Sequence, residues 1–157
     1  MRRAVLDSNV FVSVLISPRG APALLLAQAH GGGFELIASP NLLGELHRVL
    51  LRKKFRRYAT ETEVGDFLAF IRRLATVVPD PDGLAPVVCP DPGDDYLLAL
   101  AFAQKAVVVT GDSHLMEIGT GAPICAPADF LASEVSSAVQ RPRQGRSLDR
   151  PLLKLDP

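Results

Sequence analysis

The stretch Arg3-Ala-Val-Leu-Asp-Ser-Asn-Val-Phe11 decides how this chain is organised. Its apolar residues 4–6 predict a short buried strand, and the apolar residues 10–16 that follow predict a helix. Asp7 therefore stands at the point where a buried strand ends. A carboxylate in such a place is costly unless it is neutralised, and one divalent cation can neutralise several carboxylates at once. The stretch thus directs attention to other acids in similar settings.

Three further acids occupy comparable positions. Glu45 lies in the leucine-rich segment Leu42-Leu-Gly-Glu-Leu-His-Arg-Val-Leu50, on the border of its apolar helical face. Asp95 opens an apolar helix after a proline-rich segment, and Asp112 follows the β-branched run Val107-Val-Val-Thr-Gly111. Whether these acids meet depends on the fold.

Strand-like and helix-like segments alternate along the chain. Strands are predicted near residues 4–6, 34–38, 106–109 and 123–125. Helices are predicted near residues 10–16, 23–29, 40–52, 94–104, 113–117 and 127–134, and another that ends near residue 74 and is capped by Thr60 or Thr62. The proline-rich residues 79–92 predict a loop with a short extended segment. This alternation predicts an α/β fold whose parallel strands are covered on both faces, with a site at their carboxyl ends. Asp7 and Asp112 follow two of those ends.

The composition fits one globular domain. The chain has 157 residues, 48% of them hydrophobic, which is enough for one sizeable core. Because 17 basic and 17 acidic residues cancel, the net charge does not argue for nucleic acid or membrane, and any basic surface must be local. Asp7 interrupts the first apolar run, which argues against a signal peptide, and two cysteines fit a reducing compartment. We predict a cytoplasmic protein that does not enter a membrane.

The last part of the chain has a different composition. From about residue 135 it is rich in Arg, Pro, Gln, Gly and Ser, and it shows no helical periodicity until a short apolar end. We therefore predict a folded domain over residues 1–134 and a flexible basic tail over residues 135–157.

Taken together, these motifs resemble the PIN-domain family, in particular its VapC-like ribonuclease toxins of type II toxin–antitoxin systems. The matching pieces are Val5-Leu-Asp-Ser-Asn-Val10, Glu45 in its leucine-rich helix, Asp91-Pro-Gly-Asp-Asp-Tyr-Leu-Leu-Ala-Leu-Ala101, and Val108-Val-Thr-Gly-Asp112. The resemblance implies a three-layer α/β/α domain with a five-stranded parallel sheet. It also implies cleavage of RNA that depends on Mg²⁺ or Mn²⁺, a cognate antitoxin as partner, and a homodimer.

The resemblance further implies roles for single residues. Asp7, Glu45, Asp95 and Asp112 become the catalytic, metal-binding acids of a nuclease domain over residues 1–134. Asp95 is preferred to Asp94 because it stands at the family's spacing before Leu98-Ala-Leu-Ala101. Asp7, Asp95 and Asp112 would then hold a metal that activates water, while Glu45 binds a second ion or orients the nucleophile.

Several polar neighbours of these acids are further candidates. Ser8, Asn9 and Thr110 flank the acids with short polar side chains and are predicted to contact the metal ligands or a phosphate. Asp94 is a candidate for supporting or capping roles. Similar proteins often carry an acid two positions after Asp112, whereas this chain has His114. This departure argues against a fully occupied second metal site, although His can itself bind Mn²⁺, and a surface histidine is the alternative interpretation.

RNA binding requires positive charge close to the acids. One dense basic cluster follows the helix that carries Glu45, and we predict that it tracks a phosphate backbone; its members are Arg48, Arg52, Lys53, Lys54, Arg56 and Arg57. A solvated charged surface is the alternative interpretation of the same residues.

Other interpretations of the acids are open at this point. Asp7, Asp94, Asp95 and Asp112 can each be explained as acids that cap or flank the start of a helix, and Glu45 as a solvated flank. A PIN-like module that binds RNA or protein without cleaving is the main functional alternative. An aspartate-dependent phosphatase is less favoured, because that class prefers a second Asp where this chain has Asn9.

Overall fold

The computed structural model describes residues 1–83, 85, 92–117 and 122–140 of the chain, with only the backbone described at 114 and 134–140. Five parallel strands form one sheet in the order β3-β2-β1-β4-β5. The strands are β1 (Arg3–Leu6), β2 (Glu35–Ala38), β3 (Thr76–Val77), β4 (Val107–Val109) and β5 (Ile124–Cys125). The predicted α/β fold with a five-stranded parallel sheet is confirmed.

Helices connect the strands. They are α1 (Ser8–Ile16), α2 (Ala21–His30), α3 (Pro40–Leu50), α4 (Glu61–Leu74), α5 (Asp95–Gln104), α6 (Ser113–Met116) and α7 (Pro127–Gln140). Short 3-10 turns cover Lys53–Phe55 and Pro92–Asp94. No single helix in the described part of the chain is long and apolar enough to cross a membrane, although α1 and α2, bent by 106°, meet the length and composition criteria jointly.

The central strand β1 explains why helices cover both faces of the sheet. Its residues Ala4, Val5 and Leu6 are all 0% exposed, and successive residues of a strand point to opposite faces. Val5 pairs in register with Ile37 of β2 and Val108 of β4, which are equally buried. Such continuous apolar strands are typical of a parallel sheet between two helical layers.

Two helix starts follow the local signals in the sequence. The Ser39 hydroxyl accepts a hydrogen bond from the Leu42 backbone N–H and begins α3, with Pro40 in the first helical position. Thr60 begins α4 through a reciprocal capping box with Glu63. These caps confirm the predicted starts and set the direction of the helix that carries Glu45.

Two boundaries differ from the prediction. β3 was not predicted from the pattern, because its two residues are both exposed at the sheet edge and carry no burial signal. α7 continues to Gln140, past the end predicted near residue 134, because no proline or glycine interrupts it before Pro142. The helix therefore includes residues 135–140 of the predicted tail, residues 141–157 lie outside the described residues, and the flexibility of the tail stays a prediction.

The buried ring of Phe130 anchors α7 to the hydrophobic core, and its removal should weaken the fold. Phe130 is 0% exposed and packs edge-to-face on Phe34, with ring centroids 5.0 Å apart. We expect Phe130→Ala to lower the free energy of unfolding by about 3–5 kcal/mol in urea titrations. The control Leu24→Ala, at a side chain that is 56% exposed, should stay within about 0.5 kcal/mol of the wild type. If Phe130→Ala lowers the free energy of unfolding by less than roughly 1 kcal/mol, which is well below the usual cost of such a truncation, this packing is contradicted.

Candidate active site

The Asp7 side chain is buried at the carboxyl end of the central strand. Only 5% of the residue is exposed. The Thr110 hydroxyl donates a hydrogen bond of 2.8 Å to one Asp7 carboxylate oxygen, and the Ser8 hydroxyl lies 3.4 Å from the other. Although Asp7 occupies the position before α1, its side chain makes no capping hydrogen bond to that helix. The helix-cap interpretation therefore does not account for Asp7.

Thr110 joins the ends of β1 and β4. Its hydroxyl donates to Asp7 and accepts a 3.0 Å hydrogen bond from the backbone N–H of Asp112. The Asp7 N–H also donates to the Val109 carbonyl oxygen at 3.0 Å. Thr110 is itself fully buried. This one hydroxyl thus links the Asp7 carboxylate to the backbone of Asp112 through two hydrogen bonds.

The electrostatic state of Asp7 reflects its surroundings. Burial raises the pKa of the Asp7 carboxyl most strongly, and the negative charge of Glu45 raises that pKa further. The hydrogen bonds from Thr110 and Ser8 act in the opposite direction and lower the pKa. Asp7 and Glu45 are therefore close enough to repel each other, and a bound cation would relieve both the burial cost and the repulsion.

Tyr96 contacts a third acid of the predicted set, Glu45. Its hydroxyl donates a hydrogen bond to the Glu45 carboxylate. Burial raises the pKa of Tyr96, and the neighbouring carboxylates of Glu45, Asp7 and Asp94 raise it further, so the hydroxyl keeps its proton. Tyr96 lines a cleft together with Asp95, its neighbour in α5.

Sequence reasoning missed Tyr96. The residue belongs to the motif that suggested Asp95, but no role was assigned to it. A signal existed in the sequence: a lone tyrosine in an otherwise apolar helix needs a partner for its hydroxyl when the ring is buried. The identity of that partner depends on the tertiary fold, which brings Tyr96 of α5 to Glu45 of α3, and local sequence does not encode this.

The structure thus gathers the predicted acids without joining them into a closed cluster. Asp7, Glu45 and Asp94 share the surroundings of the Tyr96 hydroxyl, Asp112 is tied to Asp7 through Thr110, and Asp95 lines the adjacent cleft. Among the side chains that the structure describes, no group of three or more His, Cys, Asp or Glu residues is placed to hold a metal ion. The donor chemistry nevertheless fits a hard divalent cation, because the four acids offer only carboxylate oxygens.

The remaining candidates fall in two groups. Asn9 is exposed and lines a second cleft together with Ser8 and Glu45. The His114 side chain lies outside the described part of the structure, so its predicted influence on a second metal stays a prediction. The contacts of Ser8 and Thr110 with Asp7 are those of neighbours to the acids, and their roles toward a metal or phosphate also stay predictions.

The basic cluster lies mostly on the surface. Arg52 and Lys54 line the same cleft as Glu45, whereas Arg56 pairs with Glu61 and Arg57 donates a hydrogen bond to the Tyr58 hydroxyl. The other two candidates, Arg48 and Lys53, are exposed. Of the six basic residues predicted to bind RNA, only Arg52 and Lys54 therefore line a cleft that contains one of the acids.

Burial of a charged Asp7 beside Glu45 should cost folding free energy when no metal is bound. Asp7→Asn keeps an oxygen acceptor for Thr110 and removes the charge, so we expect a higher Tm at neutral pH in EDTA. A gain of 1 kcal/mol corresponds to roughly 2–4 °C in a domain of this size. The matched control is Asp66→Asn, at an exposed acid of α4, which should leave the Tm unchanged.

The stability difference between the wild type and Asp7→Asn should also depend on pH. Because the folded protein raises the pKa of Asp7 above its ordinary value of 3.8, the native state holds this proton to a higher pH than the unfolded chain. The wild type should therefore lose stability relative to Asp7→Asn as the pH rises from about 3.8 through the folded pKa, with a constant difference above it. A wild type more stable than Asp7→Asn at pH 7 in EDTA would contradict this account of Asp7.

Comparison with known proteins agrees with this architecture. The sequence profile described as the PIN domain matches residues 3–114. An uncharacterized protein of Methanocaldococcus jannaschii, MJ1680, is 28% identical over 117 residues, which are 74% of this chain and 74% of that protein. A chain in the crystal structure of VapBC2 from Rickettsia felis bound to a DNA fragment from their promoter is similar in fold. It has a TM-score of 0.59 and 14% identity, and the match covers 79% of this chain and 98% of that one. With residues 3–114 matched and the five parallel strands in place, the chain belongs to the PIN domain family.

Proposed function

We propose that this protein is an endoribonuclease that requires Mg²⁺ or Mn²⁺ and hydrolyses phosphodiester bonds of RNA. Its family supports a nuclease, because PIN domains are typically nucleases. The observation that carries the proposal is the buried Asp7 carboxylate, whose pKa is raised and which lies close to Glu45. An acid kept in such a place at a cost to folding is typical of a functional site.

The donor set supports a hard divalent cation. We assign Asp7, Asp95 and Asp112 to one cation, and Glu45 to a second ion or to the orientation of the attacking water. When bound, the cation supplies positive charge that offsets the carboxylates and the phosphate, and it makes water more acidic. The expected products carry a 5′-phosphate and a 3′-hydroxyl.

The chain's own polar groups would hold this site in place. Thr110 fixes the Asp7 carboxylate and the Asp112 backbone, so the ends of β1 and β4 keep a constant spacing. Tyr96 orients Glu45 by a hydrogen bond from a hydroxyl that stays protonated. Such supporting hydrogen bonds are needed because loosely held ligands bind metals weakly.

We further propose that the protein is the toxin of a two-component module in the cytoplasm, bound by a small cognate antitoxin and forming a homodimer. The similarity of fold to a chain of the VapBC2 structure supports this proposal. A short open reading frame for a DNA-binding protein beside this gene would support it independently.

Removal of the Asp7 or the Asp95 carboxylate should abolish cleavage of RNA. We expect purified wild-type protein to cut single-stranded RNA in Mg²⁺ or Mn²⁺ and to lose this activity in EDTA. Asp7→Asn and Asp95→Asn should each lower the rate by at least roughly 100-fold, because each removes a charged ligand. Asp66→Asn, which changes an exposed acid of α4, is the matched control and should retain full activity. Equal cutting by the wild type and both site variants would rule out this assignment and point to a contaminating nuclease.

A second candidate is a PIN-like module that binds RNA or a protein partner without cleaving RNA. The absence of a three-ligand group among the described side chains favours it, as does the engagement of Glu45 by Tyr96. The two candidates differ in whether the wild type binds Mn²⁺ at the acids. Calorimetric titration with Mn²⁺ separates them without any measurement of activity.

The contact between Tyr96 and Glu45 gives a sharper test of the metal site. If the hydroxyl orients Glu45 as a ligand, Tyr96→Phe should raise the dissociation constant for Mn²⁺ by about 10-fold or more, by analogy with other residues that orient metal ligands. Tyr58→Phe, which removes a partly exposed hydroxyl away from the acids, is the matched control. Unchanged or tighter Mn²⁺ binding by Tyr96→Phe would contradict an orienting role.

A further inference from the structure

Two clefts of opposite charge lie on either side of the contact between Tyr96 and Glu45. The first, of about 330 Å³, is lined by Tyr96 together with Asp80, Asp82 and Asp95, and its described lining contains no basic side chain. The second, of about 290 Å³, is lined by Glu45 and contains two basic side chains. A phosphate backbone that reaches the acids is therefore repelled on one side and attracted on the other.

The basic cleft, as we name this second cleft, is built from three pieces of the chain. Ser8 and Asn9 come from the start of α1, Glu45 from α3, and Arg52, Lys54 and Phe55 from the turn after α3. Val12 and Val49 complete its apolar part. A cleft of this size lies near the lower end of the range for small-molecule sites, which begins at about 300 Å³. It combines cations, short polar groups and apolar surface, which is what one nucleotide requires.

The six basic candidates are not equivalent in this setting. Arg56 lies 3.3 Å from a Glu61 carboxylate oxygen and donates to the Leu51 carbonyl oxygen. The Arg57 guanidinium stacks 4.8 Å from the Tyr58 ring centroid and donates to its hydroxyl. Both side chains therefore already contact residues close to them in sequence.

Arg52 and Lys54 differ from these two. Within the described residues neither side chain forms an ion pair with a carboxylate, and both are exposed at the cleft that contains Glu45. The Lys54 ammonium group lies 5.0 Å from the Phe55 ring centroid, which places a cation over the apolar wall of the cleft. These two cations are the ones available to a phosphate at the acids.

We propose that the basic cleft is a nucleotide subsite, in which Arg52 and Lys54 hold the RNA phosphate next to the one that is cleaved. The strand then leaves the acids past α1 and the turn after α3, and not past Asp80 and Asp82. This inference rests on the proposed nuclease function for the identity of the substrate. Its physical basis is separate, because the subsite's charge comes from side chains and does not require a metal.

Binding in EDTA tests the subsite apart from cleavage. The probe is a fluorescent single-stranded RNA of twelve nucleotides, titrated with the full chain over a range of salt concentrations. Each neutralised phosphate of a single strand contributes about 0.7 to the magnitude of the slope of log K against log salt. Because Arg52 and Lys54 hold one phosphate together, Arg52→Gln/Lys54→Gln should lower that magnitude by about 0.7. We expect the affinity of this double variant for the RNA to be at least 10-fold lower than that of the wild type at low salt.

The matched control is Arg56→Gln/Arg57→Gln, which removes the same charge from side chains committed elsewhere. It should change affinity by less than 3-fold and leave most of the slope in place. Arg52→Lys/Lys54→Arg keeps both charges and should retain a slope close to that of the wild type. Circular dichroism and the Tm of each variant are recorded alongside, so that a loss of affinity through unfolding, above all at the partly buried Arg56, is recognised.

Each result has a defined meaning. Equal losses for the two Gln pairs, no loss for Arg52→Gln/Lys54→Gln, or no RNA binding by the wild type in EDTA would overturn the subsite. If the Arg52/Lys54 pair matters for binding but no metal restores cleavage, the subsite stands and the nuclease proposal fails. If cleavage occurs and the pair does not matter, the nuclease proposal stands and the subsite fails.

Discussion

The burial of one carboxylate at the end of the central strand is the constraint on which the rest of the site depends. β1 is covered on both faces, so the residue that follows it begins in an apolar environment. Asp7 occupies that place, and Thr110 and Ser8 offset only part of the cost of its burial. The fold thus maintains a charge that it does not fully neutralise. A parallel sheet supplies the geometry for this, because its strands end at one edge and bring Asp7 and Thr110 together from distant parts of the chain.

The electrostatic arrangement around that carboxylate gives the site a direction. Glu45 reaches it from α3, and the hydroxyl of Tyr96 ties α5 to α3 at the same place. Acids then dominate the cleft on the α5 side, and cations are added on the side of the turn after α3. Although the whole chain has no net charge, the site is strongly polarised. Local arrangement, not overall composition, therefore determines which side a polyanion can approach.

Much of this could be predicted from the sequence, for identifiable reasons. The strands β1 and β4 are continuous apolar runs, and Ser39 and Thr60 cap their helices by local hydrogen bonds, so short windows of sequence contain the signal. β3 escaped prediction because its pairing with β2, not its composition, makes it a strand. The convergence of Asp7 with Glu45 followed only from resemblance to a family. The role of Tyr96 and the different surroundings of Arg52 and Arg56 depend on side-chain contacts between elements, which no local pattern specifies.

The central claim is that the acids at this edge of the sheet form a metal site. A crystal structure of the protein soaked with Mn²⁺, recorded at the manganese absorption edge, tests it most directly. The account predicts an anomalous peak for a manganese ion bound by a carboxylate oxygen of Asp7. The side chains of Asp95 and Asp112 should be turned toward this ion, and Thr110 should still be hydrogen-bonded to Asp7. Side chains of Asp7, Asp95 and Asp112 that point to separate surfaces, with no manganese peak between them, would contradict it.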